Sequence, residues 1–147
     1  MSDSMNPSTP AEPPNQRKRR ILLVDDDPFL TSLLRMNLED IGNYEVREEN
    51  ESLRALDSIQ DFLPDLILLD VMMPELDGAD IFYRLKNDQH LKHMVVVFHT
   101  ATVRSSELSA QGGLINGYPF LPKPSSVTKV VECIETHLAN AMPAAAN

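Results

Sequence analysis

Residues 64–78 read Pro-Asp-Leu-Ile-Leu-Leu-Asp-Val-Met-Met-Pro-Glu-Leu-Asp-Gly, and within them four consecutive apolar residues, Leu66 to Leu69, run straight into Asp70. A strand with one wet face alternates apolar and polar residues, so an unbroken run marks a strand covered on both sides. Ile21–Val24 repeats the pattern and ends in Asp25, Asp26 and Asp27; Met94–Phe98 repeats it again and ends at His99 and Thr100. Tyr118–Leu121 is a brief run ending at Pro122, Lys123 and Pro124. Asn43–Arg47 is shorter and more polar, as suits a sheet edge.

Between these runs apolar residues recur at helical spacing. Phe29, Leu30, Leu33, Leu34 and Leu38 form one stripe, stopped by Gly42, and Leu53, Leu56, Ile59 and Phe62 form another, ended by Pro64. Ile81, Phe82 and Leu85 mark a third helix after Gly78, and a short one is expected over 105–114. Ser125 or Ser126 caps a last helix that turns Val130, Val131, Ile134 and Leu138 inward. Doubly buried strands separated by helices imply an α/β fold: a doubly wound, five-stranded parallel sheet with helices on both faces.

The 147 residues suit one domain, and 42% are hydrophobic, enough for a core. No apolar run is long enough to span a membrane, and the N-terminus lacks the pattern of a secretory signal. Cys133 alone builds neither a disulfide framework nor a zinc site and reads as a small buried apolar side chain. Proline-rich and nearly free of large apolar groups, residues 1–19 read as a disordered arm, residues 20–141 as the folded domain and 142–147 as a frayed tail. The net charge is −9: +2 over residues 1–20, where Arg17, Lys18, Arg19 and Arg20 read as a solubilising edge, and −11 over the remainder. So acidic a body argues against nucleic acid as the ligand. Together these features point to a cytoplasmic protein.

In open parallel sheets, ligands bind beyond the carboxyl ends of the strands. Asp25, Asp26 and Asp27, Asp70, Thr100 and Lys123 are therefore expected to share one rim. Packed carboxylates repel and need a cation; an all-oxygen set suits magnesium or calcium rather than zinc. Magnesium, a lysine and a hydroxyl around one carboxylate would neutralise charge on a transferring phosphoryl group. Capping alone explains this set poorly, since three consecutive acids exceed what one helix N-terminus needs.

Over roughly residues 20–140 the sequence resembles the receiver domain of two-component response regulators, of the stand-alone, chemotaxis-regulator-like type. The resemblance is carried by ILLVDDDP (21–28), PDLILLDVMMPELDG (64–78), VVVFHTA (95–101) and LPKP (121–124), with 44, 30 and 23 positions separating Asp26, Asp70, Thr100 and Lys123. It implies the flavodoxin-like strand order 2-1-3-4-5. It implies Asp70 as phosphoacceptor, with Mg2+ held by Asp25, Asp26, Asp70 and the backbone carbonyl of Met72, and Asp27 a bystander. It further implies Thr100 as the switch hydroxyl, Ala101 as the small residue leaving it room, Lys123 as the phosphate-binding lysine before a cis Pro124, and Phe120 as an aromatic switch. The implied partners are a sensor histidine kinase or histidine phosphotransfer protein and a downstream target protein, with no membrane, and the chain a monomer or weak phosphorylation-dependent dimer. On this reading the protein is not an enzyme beyond transfer to, and hydrolysis from, its own aspartate. Met72 cannot hydrogen-bond an attacking water, so the phosphoryl-aspartate is expected to be long-lived.

Two other readings compete. A haloacid-dehalogenase-like phosphatase would use Asp25 and Asp27 as its Asp-x-Asp pair, but Phe29 stands where that pattern continues, and Asp70 is left unexplained. The chain could also be the receiver fragment of a longer DNA-binding regulator.

Overall fold

A computed structural model describes residues 17–101, 114–115 and 118–141. The elements run β1 (Arg19–Val24), α1 (Pro28–Ile41), β2 (Tyr44–Glu49), a 3-10 turn (Ser52–Arg54), α2 (Ala55–Phe62), β3 (Leu66–Asp70), α3 (Gly78–Lys86), β4 (Val95–Thr100), β5 (Tyr118–Pro122) and α4 (Val127–Ala141). The five strands are parallel in the order 2-1-3-4-5. A two-residue edge strand, Leu114–Ile115, adds an antiparallel sixth beside β5. The expected features at 1–16, 102–113 and 142–147 lie outside the described residues.

The apolar runs are continuous because alternate residues feed two cores. Leu22, Val24, Ile67, Leu69, Val96 and Phe98 pack under α2 and α3 with Ile59, Ile81 and Leu85. Ile21, Leu23, Leu66, Leu68 and Val97 pack on the other face under α1 and α4 with Leu34, Leu38, Val130, Ile134 and Leu138. Each such side chain contributes about 1.5–3 kcal/mol of burial, so a charge at Leu68 or Leu69 would break the sheet. Tyr44 adds a polar tie across the second core: its buried hydroxyl donates to the Glu135 carboxylate and joins β2 to α4.

Helix α1 begins at Asp27, whose carboxylate accepts from the amides of Phe29 (3.1 Å) and Leu30 (3.3 Å), and it ends at Gly42, whose φ of 96° favours glycine. Ser126 caps α4, its hydroxyl accepting from the Lys129 amide at 3.1 Å, while Ser125 donates instead to the Pro122 carbonyl.

Three sequence expectations are corrected. Phe29 (78% exposed) and Leu33 (44%) face solvent, because α1 meets the sheet through Thr31, Leu34 and Leu38. Thr31 can turn inward because Glu48 and Asn50 satisfy its hydroxyl. Leu53 is exposed, since it lies in the 3-10 turn, where the helical phase of α2 has not begun. The N-terminal arm does not extend to residue 19. Arg19 already pairs with β2, Arg17 bonds the Asp65 carboxylate at 3.2 Å, and Arg20 donates to the Phe62 carbonyl at 2.8 Å. Cys133 is half-buried against the second core, and desolvation pushes its thiol up to about 11.

Candidate functional site

The register of the sheet assembles the site. Val24 pairs with Leu69, so Asp25 and Asp70 emerge side by side one residue later. Asp70 pairs with His99, and Thr100 with Pro122, which brings Lys123 to the same rim. Strand alternation places Asp25, Asp70 and Lys123 on the face of Leu23, Leu68 and Leu121, toward α1 and α4. Thr100 falls on the opposite face with Phe98 and Phe120.

Carboxylate oxygens of Asp25, Asp26 and Asp70 lie within 4.8 Å of one another. Asp25 and Asp70 are buried and Asp26 is exposed. Lys123 Nζ sits 2.5 Å from Asp25 Oδ2 and 3.4 Å from Asp70 Oδ1. The other Asp25 oxygen accepts from the Asp27 amide at 3.0 Å, and Asp70 Oδ1 accepts from the Met72 amide at 3.4 Å. Burial, and then the negative charge of Asp25, raise the Asp70 carboxyl above its ordinary pKa. Burial alone would lower Lys123, but the hydrogen bond and charge of Asp25, followed by those of Asp70, carry it above the usual lysine value. Three hard oxygen donors with one side open to solvent fit a small divalent cation that keeps part of its water shell.

Thr100 is buried, and its carbonyl accepts from the Lys123 amide at 2.9 Å, linking the end of β4 to the lysine. The Lys123–Pro124 peptide is cis. Phe120 points inward, 5% exposed, whereas Ala101 and the Met72 side chain are exposed. Asp27 stands apart from the carboxylate triad, with its side chain engaged as the cap of α1.

Sequence reasoning missed four residues that shape this rim. Gly78 packs on the Asp70 backbone so closely that a Cβ there would lie 2.3 Å from the Asp70 carbonyl oxygen. Ser52 is buried and donates to the Pro74 carbonyl at 2.7 Å, while its oxygen accepts from the Leu76 amide at 3.3 Å, bracing the loop after Asp70. Asn50 donates to the Asp25 carbonyl at 2.8 Å. His99 is buried beside Asp70; burial and then the charge of Lys123 lower its pKa to about 4. None of the four carries a periodic signal; only Gly78, directly after a capping Asp77, was visible as punctuation.

A 2-1-3-4-5 parallel sheet with an acidic cluster and a lysine at its carboxyl edge defines a receiver-type signalling domain. The family model described as the response regulator receiver domain matches residues 21–135, and the chain belongs to that family, the receivers of two-component signalling. The polar-differentiation response regulator DivK of Brucella ovis is 33% identical over 125 residues, covering 84% of this chain and 98% of that protein. Among solved structures, the N-terminal domain of a response regulator receiver protein from Methanoculleus marisnigri is 30% identical, with a TM-score of 0.60 over 82% of this chain and 97% of that one. The Vibrio cholerae chemotaxis protein CheY4, 23% identical, shares the fold with a TM-score of 0.68 over 82% of this chain and 98% of its own. Among the described residues no helix is long and apolar enough to cross a membrane.

Proposed function

We propose that this protein accepts a phosphoryl group from a phosphohistidine onto Asp70 and signals to a partner protein through the resulting change of packing. An Asp70 carboxylate oxygen attacks phosphorus, the phosphorus–nitrogen bond of the donor breaks, and the departing imidazole nitrogen takes up a proton. Mg2+ held by Asp25, Asp26, Asp70 and the Met72 carbonyl would screen the charge on the transferring group. Lys123 is within reach of Asp70 and can follow its charge outward to a phosphoryl oxygen, and the Thr100 hydroxyl can donate to another. The added group brings roughly two negative charges, which must be met by moving cationic and hydroxyl donors toward it. Because Thr100 shares a face with Phe120, a shift of Thr100 alters the space open to that ring.

The donor is a sensor histidine kinase or a histidine phosphotransfer protein, the output is a target protein, and the setting is cytoplasmic. The chain turns over no separate substrate; it transfers phosphoryl to itself and hydrolyses its own acyl phosphate slowly, since the Met72 thioether cannot orient water. The observation that carries this reading is the convergence of Lys123 on Asp25 and Asp70. The phosphatase alternative needs Asp27 as a proton donor beside Asp25, a role that fits poorly with a carboxylate capping α1. The test is intact-mass spectrometry after incubation with acetyl phosphate and Mg2+. One added phosphoryl is expected in the wild-type chain and none in Asp70→Asn; full labelling of Asp70→Asn would refute the assignment.

A further inference from the structure

We propose that Asn50 is a positioning residue for the acidic pair, holding the Asp25–Asp26 peptide so that both carboxylates are presented to a divalent cation. The inference rests on the magnesium-dependent reading of the site given above.

Asn50 follows the last residue of β2 and is half-buried. Its side-chain nitrogen donates to the Asp25 carbonyl at 2.8 Å and to Thr31 Oγ1 at 2.9 Å, so both amide N–H bonds are used. Thr31 Oγ1 can accept because its own proton goes to Glu48 Oε1, 2.7 Å away. That fixes the amide orientation: the flipped amide would set its oxygen against the Asp25 carbonyl, acceptor facing acceptor.

Residue 25 is tied to the end of β2 on its other side as well, its amide donating to the Glu49 carbonyl at 3.1 Å. A peptide is planar, so the Asp25 carbonyl and the Asp26 amide turn as one body. Fixing that oxygen therefore fixes the direction in which Asp26 leaves the strand. The Asp25 side chain has its own restraints in Lys123 and the Asp27 amide. Asp26 has none of this kind: among the described residues no donor bonds its exposed carboxylate. Its placement depends on the peptide behind it, and Asn50 holds that peptide without touching cation or reacting atoms.

The experiment uses the full chain as wild type, Asn50→Ala and Thr31→Val. It measures Mg2+ binding by titration calorimetry and the rate of labelling by acetyl phosphate across Mg2+ concentrations. Asn50→Ala is expected to raise the Mg2+ dissociation constant and the half-saturating Mg2+ concentration about tenfold, with the rate at saturating Mg2+ within about twofold. Thr31→Val should move both in the same direction by less. A purely structural residue would lower the thermal midpoint and leave both Mg2+ constants unchanged in the folded protein; that result overturns the inference and leaves the proposed function standing. A wild-type chain that neither binds Mg2+ nor accepts phosphoryl overturns both. If Asn50→Ala does not fold, Thr31→Val decides alone, unchanged Mg2+ constants being the overturning result.

Discussion

Lys123 leans toward Asp25 rather than Asp70: its Nζ lies 2.5 Å from Asp25 Oδ2 and 3.4 Å from Asp70 Oδ1. The ammonium thus neutralises the Asp25 carboxylate first and remains within reach of Asp70. Replacing it leaves two buried carboxylates facing each other, the costly half of a broken ion pair. Lys123→Met is expected to lower stability by about 3 kcal/mol in chelator and to bind Mg2+ more tightly than wild type. Saturating cation at a hundredfold excess over its dissociation constant adds about 2.7 kcal/mol, so the midpoint gained on adding Mg2+ at a fixed concentration should be larger in the variant. Equal gains in thermal melts would show that Lys123 does not compensate these charges.

Gly78 opens α3 directly over the end of β3, its amide donating to the Val71 carbonyl at 2.9 Å. A Cβ there would meet the Asp70 carbonyl oxygen at 2.3 Å and Val71 Cα at 2.9 Å, both backbone atoms that cannot swing aside. Gly78→Ala is therefore expected to cost about 3 kcal/mol in urea unfolding and to shift the backbone resonances of Asp70 and Val71. On helix propensity alone the same change would stabilise by about 0.5–1 kcal/mol, so the sign of the effect decides the matter.

Fold and site were legible to different depths. Leu66–Leu69 and Ile21–Val24 announced strands covered on both sides because each run feeds two cores, and the chemistry-bearing residues are those that end the runs. The inward stripe of α1 is narrower than its apolar period: Phe29 and Leu33 fit a helical period, but a helix shows the sheet only part of its circumference, and Thr31 takes an inward place. Nothing in the sequence of Thr31 foretold this, since its burial depends on Glu48 and Asn50 from another element. Asn50, Ser52 and His99 were illegible for the same reason. Their roles arise from strand register and from hydrogen bonds between segments distant in sequence, which no local pattern encodes.

His99 makes the fold acid-sensitive. Burial, and then the nearby Lys123 charge, hold its pKa at about 4, against about 6.5 for an exposed imidazole. Between those values the unfolded chain binds a proton that the folded chain refuses, so this contribution is intact above about pH 6.5 and is lost as the pH falls toward 4. Asp70, across the strand pair, acts in the opposite sense: its raised pKa lets the folded chain take up a proton more readily, offsetting part of the loss at the acid end. His99→Leu should remove about 2 kcal/mol of the stability difference between pH 7 and pH 5. Parallel wild-type and variant curves in denaturant melts at the two pH values would contradict the assignment.

Asp26 and Asp27 are adjacent and chemically identical, yet the structure gives them different surroundings. Asp27 accepts from the amides of Phe29 and Leu30 and closes the first turn of α1, whereas Asp26 projects toward Asp25 and Asp70. Removing a capping carboxylate typically costs about 1 kcal/mol, so Asp27→Ala should lower the thermal midpoint by a few degrees and leave the Mg2+ dissociation constant within about twofold, the residual change coming from one lost charge at longer range. Asp26→Asn should do the reverse, leaving the midpoint in chelator unchanged or slightly higher because one repelling charge is gone, and weakening Mg2+ binding tenfold or more, on the order of 1.4 kcal/mol. Calorimetric titration and thermal melts of both variants separate the roles, and a loss of Mg2+ affinity in Asp27→Ala equal to that in Asp26→Asn would place Asp27 in the ligand set instead of at the helix cap.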